Sequence, residues 1–185
     1  MASKCNIVLA GRLSGDKNIV ATNIIEKVCT EVYKINQNFH LEIVGGPVTD
    51  IHRQLETEYP FVQFSGHTDD IHQVFMKSDL VIGAGRVALE AMALQKPVLA
   101  AGHGCYIGII DELNIQYAKE TNFGDWSDRK TYNWGAMVQD LLSLIEDPLL
   151  RNRSAELGYK TVLSEYNIEK VSEKLDLFYA RLRNA

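Results

Sequence analysis

The fold is decided by residues 6–17, which read NIVLAGRLSGDK. The apolar run 6–10 is typical of a buried β-strand, and Gly11 ends it. After the loop, apolar residues recur at positions 20, 24, 28, 32 and 35, which lie on one face of a helix over 19–35. A buried strand, a glycine loop and an amphipathic helix together indicate the first unit of an α/β fold.

The same unit repeats along the first two thirds of the chain. The predicted strands are 6–10, 41–44, 61–64, 79–83, 97–101 and a weaker one within 115–121. The predicted helices are 19–35, 50–59, one that begins after a cap at Thr68 or Asp69, and 86–94. This alternation predicts a Rossmann-like parallel six-stranded sheet sandwiched by helices.

From Asn133 onward the pattern is helical only. Asp147 before Pro148 is an N-cap signal that opens a new helix, and Asn167 caps the last one. That last helix carries one apolar stripe, formed by Val171, Leu175, Phe178 and Leu182. The segment most typical of a loop is 124–131.

Composition excludes several classes of protein. The chain has 185 residues, of which 46% are hydrophobic and 23% charged, as in an ordinary globular domain. A net charge of −5 argues against a nucleic-acid partner, which needs a basic face. No apolar run approaches the roughly 18 residues of a membrane span, so membrane contact is not indicated in this part. The N-terminus enters a strand-like run at once, which leaves no room for a signal peptide, and we expect a cytoplasmic protein.

Cysteine and histidine spacing indicates no metal site. The three cysteines are widely spaced and form no CxxC, which favours free thiols in a reducing cytoplasm over a disulfide or metal frame. The five histidines show no HExxH spacing. No DxD motif presents a pair of metal-binding carboxylates. We therefore expect neither a metal nor a cofactor.

Glycines follow most of the predicted strands, at the ends where an open parallel sheet binds its ligands. Glycine lets the backbone approach a ligand closely, although each of these residues also fits simple turn formation. Five such loops favour a ligand crevice; their glycines are Gly11 and Gly15, Gly45 and Gly46, Gly66, Gly83 and Gly85, and Gly102 and Gly104.

The loop 11–17 places two cations, Arg12 and Lys17, beside the start of a helix. This setting suits a diphosphate, although two solvated surface cations are an equally good interpretation of the spacing. The loop is neither a GxGxxG nor a Walker motif, so the two common phosphate motifs are excluded here.

The stretch 82–92 leads from a buried strand through a glycine turn into a helix. The free N–H groups at such a helix start favour an anion. Glu90 lies about one turn further in, where a carboxylate can accept hydrogen bonds from two ribose hydroxyls. The alternative is an exposed helix acid, which the apolar neighbours of Glu90 make less attractive.

In these motifs the chain resembles the C-terminal, donor-binding domain of the group 1 glycosyltransferases, which have the GT-B fold. Residues 11–17 match the family's GRLxxxK phosphate loop, and 41–46 match its LxIVG strand. The VxFxG segment at 62–66 is followed by the Asp79-Leu80 strand start. The most specific match is LEAMALQKPV at 89–98. The similarity covers nearly the whole chain, in order.

The resemblance implies roles for individual residues. Arg12 and Lys17, after Gly11, would hold the donor diphosphate, and with Glu90 they are the catalytic candidates. The N–H groups around Gly85 and Arg86, next to Gly83, would cradle the distal phosphate, while Glu90 would bind the ribose. The loop at Gly66 and His67 would line the nucleobase. The donor is then a nucleotide diphosphate-sugar, and we expect a UDP-sugar.

One position departs from the family pattern. The first glutamate of the family's E-x7-E pair would stand where this chain has Ile82. That carboxylate helps to hold the donor sugar or its phosphate, and Arg86 is a candidate substitute on the phosphate side. The segment 102–108 falls where donor-sugar contacts are expected, with His103, Gly104 and Tyr106 as candidates and an ordinary loop histidine as the alternative for His103.

The resemblance implies a second, N-terminal domain that binds the acceptor, and we expect that domain to be missing from this chain. We expect residues 5–166 to form the nucleotide-sugar-binding domain and 167–185 a helix that crosses to the absent domain. The whole enzyme would be a hexosyltransferase, retaining and metal-free, and the isolated piece would be inactive. Two alternatives stay open: a sugar-nucleotide 2-epimerase of the same fold, and a non-catalytic nucleotide-binding or regulatory module.

Overall fold

The computed structural model describes residues 4–13, 15–128 and 132–183. Ser14 of the predicted phosphate loop and residues 129–131 of the predicted loop 124–131 lie outside them. The sheet has six strands: β1 (Cys5–Ala10), β2 (Phe39–Val44), β3 (Val62–Gly66), β4 (Leu80–Gly83), β5 (Val98–Ala101) and β6 (Tyr106–Ile109). Their order in space is β3-β2-β1-β4-β5-β6, so β1 lies inside the sheet and pairs in parallel with both β2 and β4.

Nine α-helices and two π-helical segments are described. They are α1 (Asp16–Asn23), a π segment (Ile24–Cys29), α2 (Thr30–Ile35), α3 (Asp50–Glu58), α4 (Ile71–Lys77), α5 (Arg86–Ala93), α6 (Ile115–Glu120), α7 (Trp134–Glu146), α8 (Pro148–Thr161), a second π segment (Val162–Tyr166) and α9 (Ile168–Arg183). The predicted α/β fold is confirmed.

The two faces of the sheet are covered by two apolar layers. In β1, Ile7 and Leu9 contribute to one layer and Val8 and Ala10 to the other, as the alternation of side chains along a strand requires. The first layer includes residues of α2, α3 and α7, and the second residues of α5 and α6. Each large apolar side chain that is fully buried in this way contributes about 1.5–3 kcal/mol.

The helix predicted over 19–35 is continuous but contains a π-helical stretch. Ile24, Ile25, Val28 and Cys29 are all buried, which is a wider apolar face than a regular α-helical stripe provides. The Thr30 hydroxyl donates to the Ile25 carbonyl, five residues back, at 2.9 Å. The locally wider turn therefore brings two adjacent pairs of side chains onto the sheet.

The prediction for the sixth strand was wrong in place and in direction. Residues 115–120 form α6, because Ala118 and, partly, Ile115 face the second apolar layer at helical spacing. The sixth strand is β6, which pairs antiparallel with β5. Only residues 102–105 separate the two strands, and so short a connection cannot make a parallel crossover.

The helix caps follow the sequence signals with one shift. Asp70, rather than Thr68 or Asp69, caps α4 and accepts a hydrogen bond from the Gln73 N–H at 3.1 Å. Asp147 accepts from the N–H groups of Leu149 and Leu150, as its position before Pro148 predicts. Asn167 accepts from the Glu169 N–H at 2.7 Å and so begins α9.

α9 leaves its apolar stripe uncovered. Leu175, Phe178 and Leu182 are 49%, 56% and 58% exposed, and no residue of the helix is buried. The division into 5–166 and 167–185 stays a prediction, and residues 184 and 185 lie outside the described part of the chain. Within the described ranges, no helix combines the length and the apolar character needed to cross a membrane.

The three cysteines carry buried free thiols, from which we predict low reactivity in the folded protein. Burial raises the pKa of Cys29 to about 12, and burial together with the charge of Asp79 raises that of Cys5 to about 11. Burial also raises the pKa of Cys105, against hydrogen bonds from Ser127, Thr121 and Tyr117. Because the thiolate is the nucleophile, an aromatic disulfide reagent at about pH 8 should react with all three only after denaturation. Rapid reaction of any thiol in the native chain would contradict this.

Candidate functional site

A cavity lies at the carboxyl ends of β1, β4 and β5. After β1 the chain continues to β2 on one side, and after β4 it continues to β5 on the other, so the loops diverge there. Such a switch point is where open α/β sheets form their ligand crevice. Three loops and one later turn contribute the polar part of the lining, which includes Gly11, Arg12, Lys17, Gly83, Gly102, His103 and Asp125.

The loop after β1 is held in place by the end of β2. A Cβ on Gly45, which has φ +123°, would lie 2.0 Å from the Gly11 carbonyl oxygen, so only glycine permits this approach. The Gly11 N–H donates to the Val44 carbonyl at 3.0 Å, and the Gly45 N–H donates to the Gly66 carbonyl at 2.7 Å. Gly66 is thereby part of the support under the loop, and it lies outside the cavity lining.

The two predicted phosphate-binding cations both line the cavity, but only one of them forms an ion pair within the described residues. Arg12 is exposed and forms no ion pair among the described residues. Lys17 is one-third exposed, and its Nζ lies 2.8 Å from Asp125 Oδ1. The site therefore presents one free guanidinium and one ammonium that already has a carboxylate partner.

Asp125 is the residue that the sequence did not reveal. Its Oδ1 accepts from Lys17 and lies 3.2 Å from Nδ1 of His103, so the start of α1 and the loop after β5 meet at one carboxylate oxygen. Burial alone would raise the pKa of Asp125, but the hydrogen bond and charge of Lys17, and then those of His103, outweigh it and hold the pKa below its ordinary value. The carboxylate is therefore ionised at neutral pH.

The loop after β4 was predicted to cradle the distal phosphate, and this role stays a prediction. Gly85 precedes α5 with φ +56°, but its N–H donates to the Asn122 carbonyl at 2.9 Å and is not available to a phosphate. The next N–H groups, at the start of α5, lack intrahelical partners by the geometry of any helix, and no described side chain caps them. Ile82, at the position of the family's first glutamate, is fully buried and forms apolar lining.

Arg86 and Glu90 form a pair on the surface of α5, outside the cavity lining. Arg86 Nε lies 2.6 Å from Glu90 Oε1, with Arg86 89% and Glu90 21% exposed. The carboxylate is thus fixed by its own helix, with Oε2 free of any described hydrogen bond.

The remaining predicted residues divide between the cavity and the frame. His67 is 79% exposed, and its nearest charged partner is Asp69 at 3.5 Å. Gly104 belongs to the frame, because a Cβ there would lie 2.7 Å from the Trp126 backbone. Tyr106 lies in β6 and not in a loop; its hydroxyl donates to Asp140 of α7, and it lies outside the cavity lining, so its sugar contact stays a prediction. Of the three sugar-loop candidates, His103 alone lines the cavity.

The family profile described as "Glycosyl transferases group 1" matches residues 4–120, more than half of the chain. The chain belongs to the group 1 glycosyltransferases. A comparison with curated proteins found no match.

Solved structures of glycosyltransferases share the fold. A TarM mutant of S. aureus, solved with UDP among its ligands, superposes with a TM-score of 0.71 at 21% identity, over 95% of this chain and 35% of its own. Anabaena HepE in complex with UDP and glucose gives 0.68 at 17% identity, over 97% and 49%. The C-terminal domain of a Francisella tularensis group 1 family protein, LpcC, gives 0.63 at 23% identity, over 90% and 88%.

The chain corresponds to only part of the two larger glycosyltransferases. The chain spans about a third of TarM and about half of HepE, but most of the separately solved LpcC domain. The fold is therefore that of one GT-B half, as predicted. The structure brings Gly11, Arg12, Lys17, Gly83 and His103 together in one cavity, while their roles stay predictions. In the described ranges, no group of three or more His, Cys, Asp or Glu could hold a metal ion.

The close approach of Gly45, just after β2, to the loop after β1 gives a matched pair of variants. Gly45→Ala should destabilise the protein by about 2 kcal/mol or more, because the new Cβ meets the Gly11 carbonyl at a positive φ. Gly11→Ala should change stability by less than about 0.5 kcal/mol, because nothing lies within 4 Å of its Cβ position. Urea unfolding measures both, and equal losses would contradict the proposed support.

The Lys17–Asp125 pair predicts a pH-dependent stability. Because the folded pKa of Asp125 is lowered, its contribution is complete above the unfolded value of about 3.9 and is lost as the pH falls through the folded value. Near pH 7, Asp125→Asn should cost about 0.5–1 kcal/mol, a modest figure because the pair is partly exposed. The difference from wild type should shrink in urea titrations below about pH 4. A difference that persists unchanged in acid would count against the pair, and Asp128→Asn is the charge-matched control.

Proposed function

We propose that this chain binds the donor of a glycosyl transfer, a nucleoside diphosphate-sugar. The observation that carries the proposal is that Arg12 and Lys17 line one cavity at the switch point of the sheet, in a member of the group 1 glycosyltransferases. A free guanidinium suits a phosphate through paired hydrogen bonds. An ammonium has three donors, so Lys17 keeps two for a phosphate while it holds Asp125.

The nucleotide is proposed to be a uridine diphosphate. Support comes from TarM and HepE, which share the fold and were solved with UDP. Glu90 is proposed to accept hydrogen bonds from the ribose, because Arg86 fixes one of its carboxylate oxygens and leaves the other available. The exposed segment at His67 is proposed to line the base.

The transfer is proposed to proceed without a metal and with retention at the sugar carbon. As the bond to the sugar breaks, negative charge develops on the diphosphate, and Arg12, Lys17 and the start of α5 would stabilise it. Charges held in place before the reaction need no reorganisation during it, so they lower the barrier for departure of the diphosphate.

A second domain is proposed to complete the site and bind the acceptor. The cavity encloses about 60 Å³, roughly the liquid volume of two waters, whereas small-molecule sites enclose about 300 Å³ or more. The chain also spans only a third to a half of TarM and HepE. This chain would supply one wall of the complete donor site, and the second domain would cover the apolar stripe of α9. A cytoplasmic location stays a proposal, supported by the three free thiols.

A non-catalytic nucleotide-binding module is a second candidate. The observation that favours it is Ile82, which is buried and apolar at the position of the family's first glutamate.

The donor assignment predicts nucleotide binding by the chain itself. In calorimetric titrations, UDP should bind more tightly than GDP or ADP. Arg12→Ala and Lys17→Ala should each weaken UDP by about tenfold or more, because each removes a charge-assisted hydrogen bond. Lys77→Ala removes an exposed lysine on α4, away from the cavity, and is the matched control. Absence of UDP binding at millimolar concentration, or equal losses in all three variants, would refute the assignment. Sugar release or transfer by this chain alone would refute the need for a second domain.

A further inference from the structure

The turn that carries Asp125 is fixed to both neighbouring loops of the cavity. The Asn122 carbonyl accepts from the Gly85 N–H at 2.9 Å, which ties the turn to the loop before α5. The Gly124 carbonyl accepts from the N–H groups of Gly104 and Cys105 at 3.0 Å, which ties it to the loop after β5. Asp125 is therefore presented by a braced segment and not by a free loop.

The turn also holds strained backbone. Asn122 and Phe123 have φ of +49° and +56°, and Phe123 is fully buried although it is an aromatic residue in a left-handed conformation. Such conformations persist only where the surrounding structure enforces them, and they cluster at functional sites. Asp125, two residues after Phe123, lies in the cavity wall.

Asp125 gives the cavity a mixed charge. It is the one acidic side chain among the described lining residues, which also include the cations Arg12 and Lys17. Its Oδ1 is occupied by Lys17 and His103. Its Oδ2 would lie 3.4 Å from a Cβ on Gly85, so this second oxygen faces the start of α5. That oxygen is the acceptor left for a ligand.

A ligand that is anionic throughout meets repulsion from this carboxylate, whereas one with hydroxyls beside its phosphates gains a strong hydrogen bond. We propose that Asp125 is a specificity-determining residue that accepts a hydrogen bond from a hydroxyl of the group attached to the diphosphate. This inference rests on the proposed donor site and deepens it. The cavity thereby selects a nucleotide that still carries its sugar over the free diphosphate.

The competing explanation is that Asp125 only positions Lys17. In that case its removal disturbs the diphosphate contact, so free UDP and UDP-sugar lose affinity by the same factor. If Asp125 accepts a hydrogen bond from a sugar hydroxyl, only the UDP-sugar loses affinity. UDP then binds as well as before or better, because the substitution removes a negative charge that repels the diphosphate.

The test compares UDP with UDP-glucose, UDP-galactose and UDP-N-acetylglucosamine by calorimetry and saturation-transfer NMR. Asp125→Asn should weaken the best-binding UDP-sugar by about tenfold relative to UDP, the size of one charge-assisted hydrogen bond. Its saturation transfer should fall at the sugar protons and stay unchanged at the uracil protons. Asp128→Asn, an equal change of charge at an exposed position, should alter neither ratio.

The outcomes distinguish the role of Asp125 from the donor site as a whole. Equal losses for UDP and UDP-sugar, or no loss for either, overturn the role of Asp125 and leave the donor site standing. Failure of the wild-type chain to bind UDP overturns the donor site and this inference together. Thermal unfolding checks that the variants are folded, and Asp125→Ser replaces Asp125→Asn in the same comparison if the amide prevents folding.

Discussion

The parallel pairing of β1 with both β2 and β4 is the constraint on which the rest of the structure depends. Because strand order reverses there, the chain leaves β1 and β4 toward opposite edges, and the loops cannot fill the space between them. The apolar layers on both faces lock β1 in register, so the loop after it has a fixed origin. The cavity is a consequence of this topology before any side chain is considered.

Features governed by local pattern could be predicted from the sequence. A continuous apolar run predicted β1, and helical spacing predicted the helix over 19–35. The polar residues Asp147 and Asn167 predicted the caps that begin α8 and α9. Arg12 and Lys17 could be assigned to the cavity because a loop that follows a central strand of a parallel sheet has little choice of place.

Features governed by long-range pairing could not be predicted. The sequence does not indicate β6, because it contains Gly108, whose φ of +111° and small size are typical of a turn. The antiparallel direction of β6 follows from the short connection to β5. Asp125 lies 108 residues from Lys17, and its own neighbours indicate only a loop. The left-handed backbone at Phe123 is likewise enforced from outside the segment, since local preference disfavours it.

The uncovered helix α9 gives the molecule two levels of stability. The central strands can exchange their amide hydrogens only when both apolar layers open, which is close to global unfolding. α9 has 16 residues and no buried side chain, so it depends on intrinsic helix formation, which is marginal at this length in water. Its amides should exchange by fraying, independently of the sheet, and a covering surface would bring the two rates together.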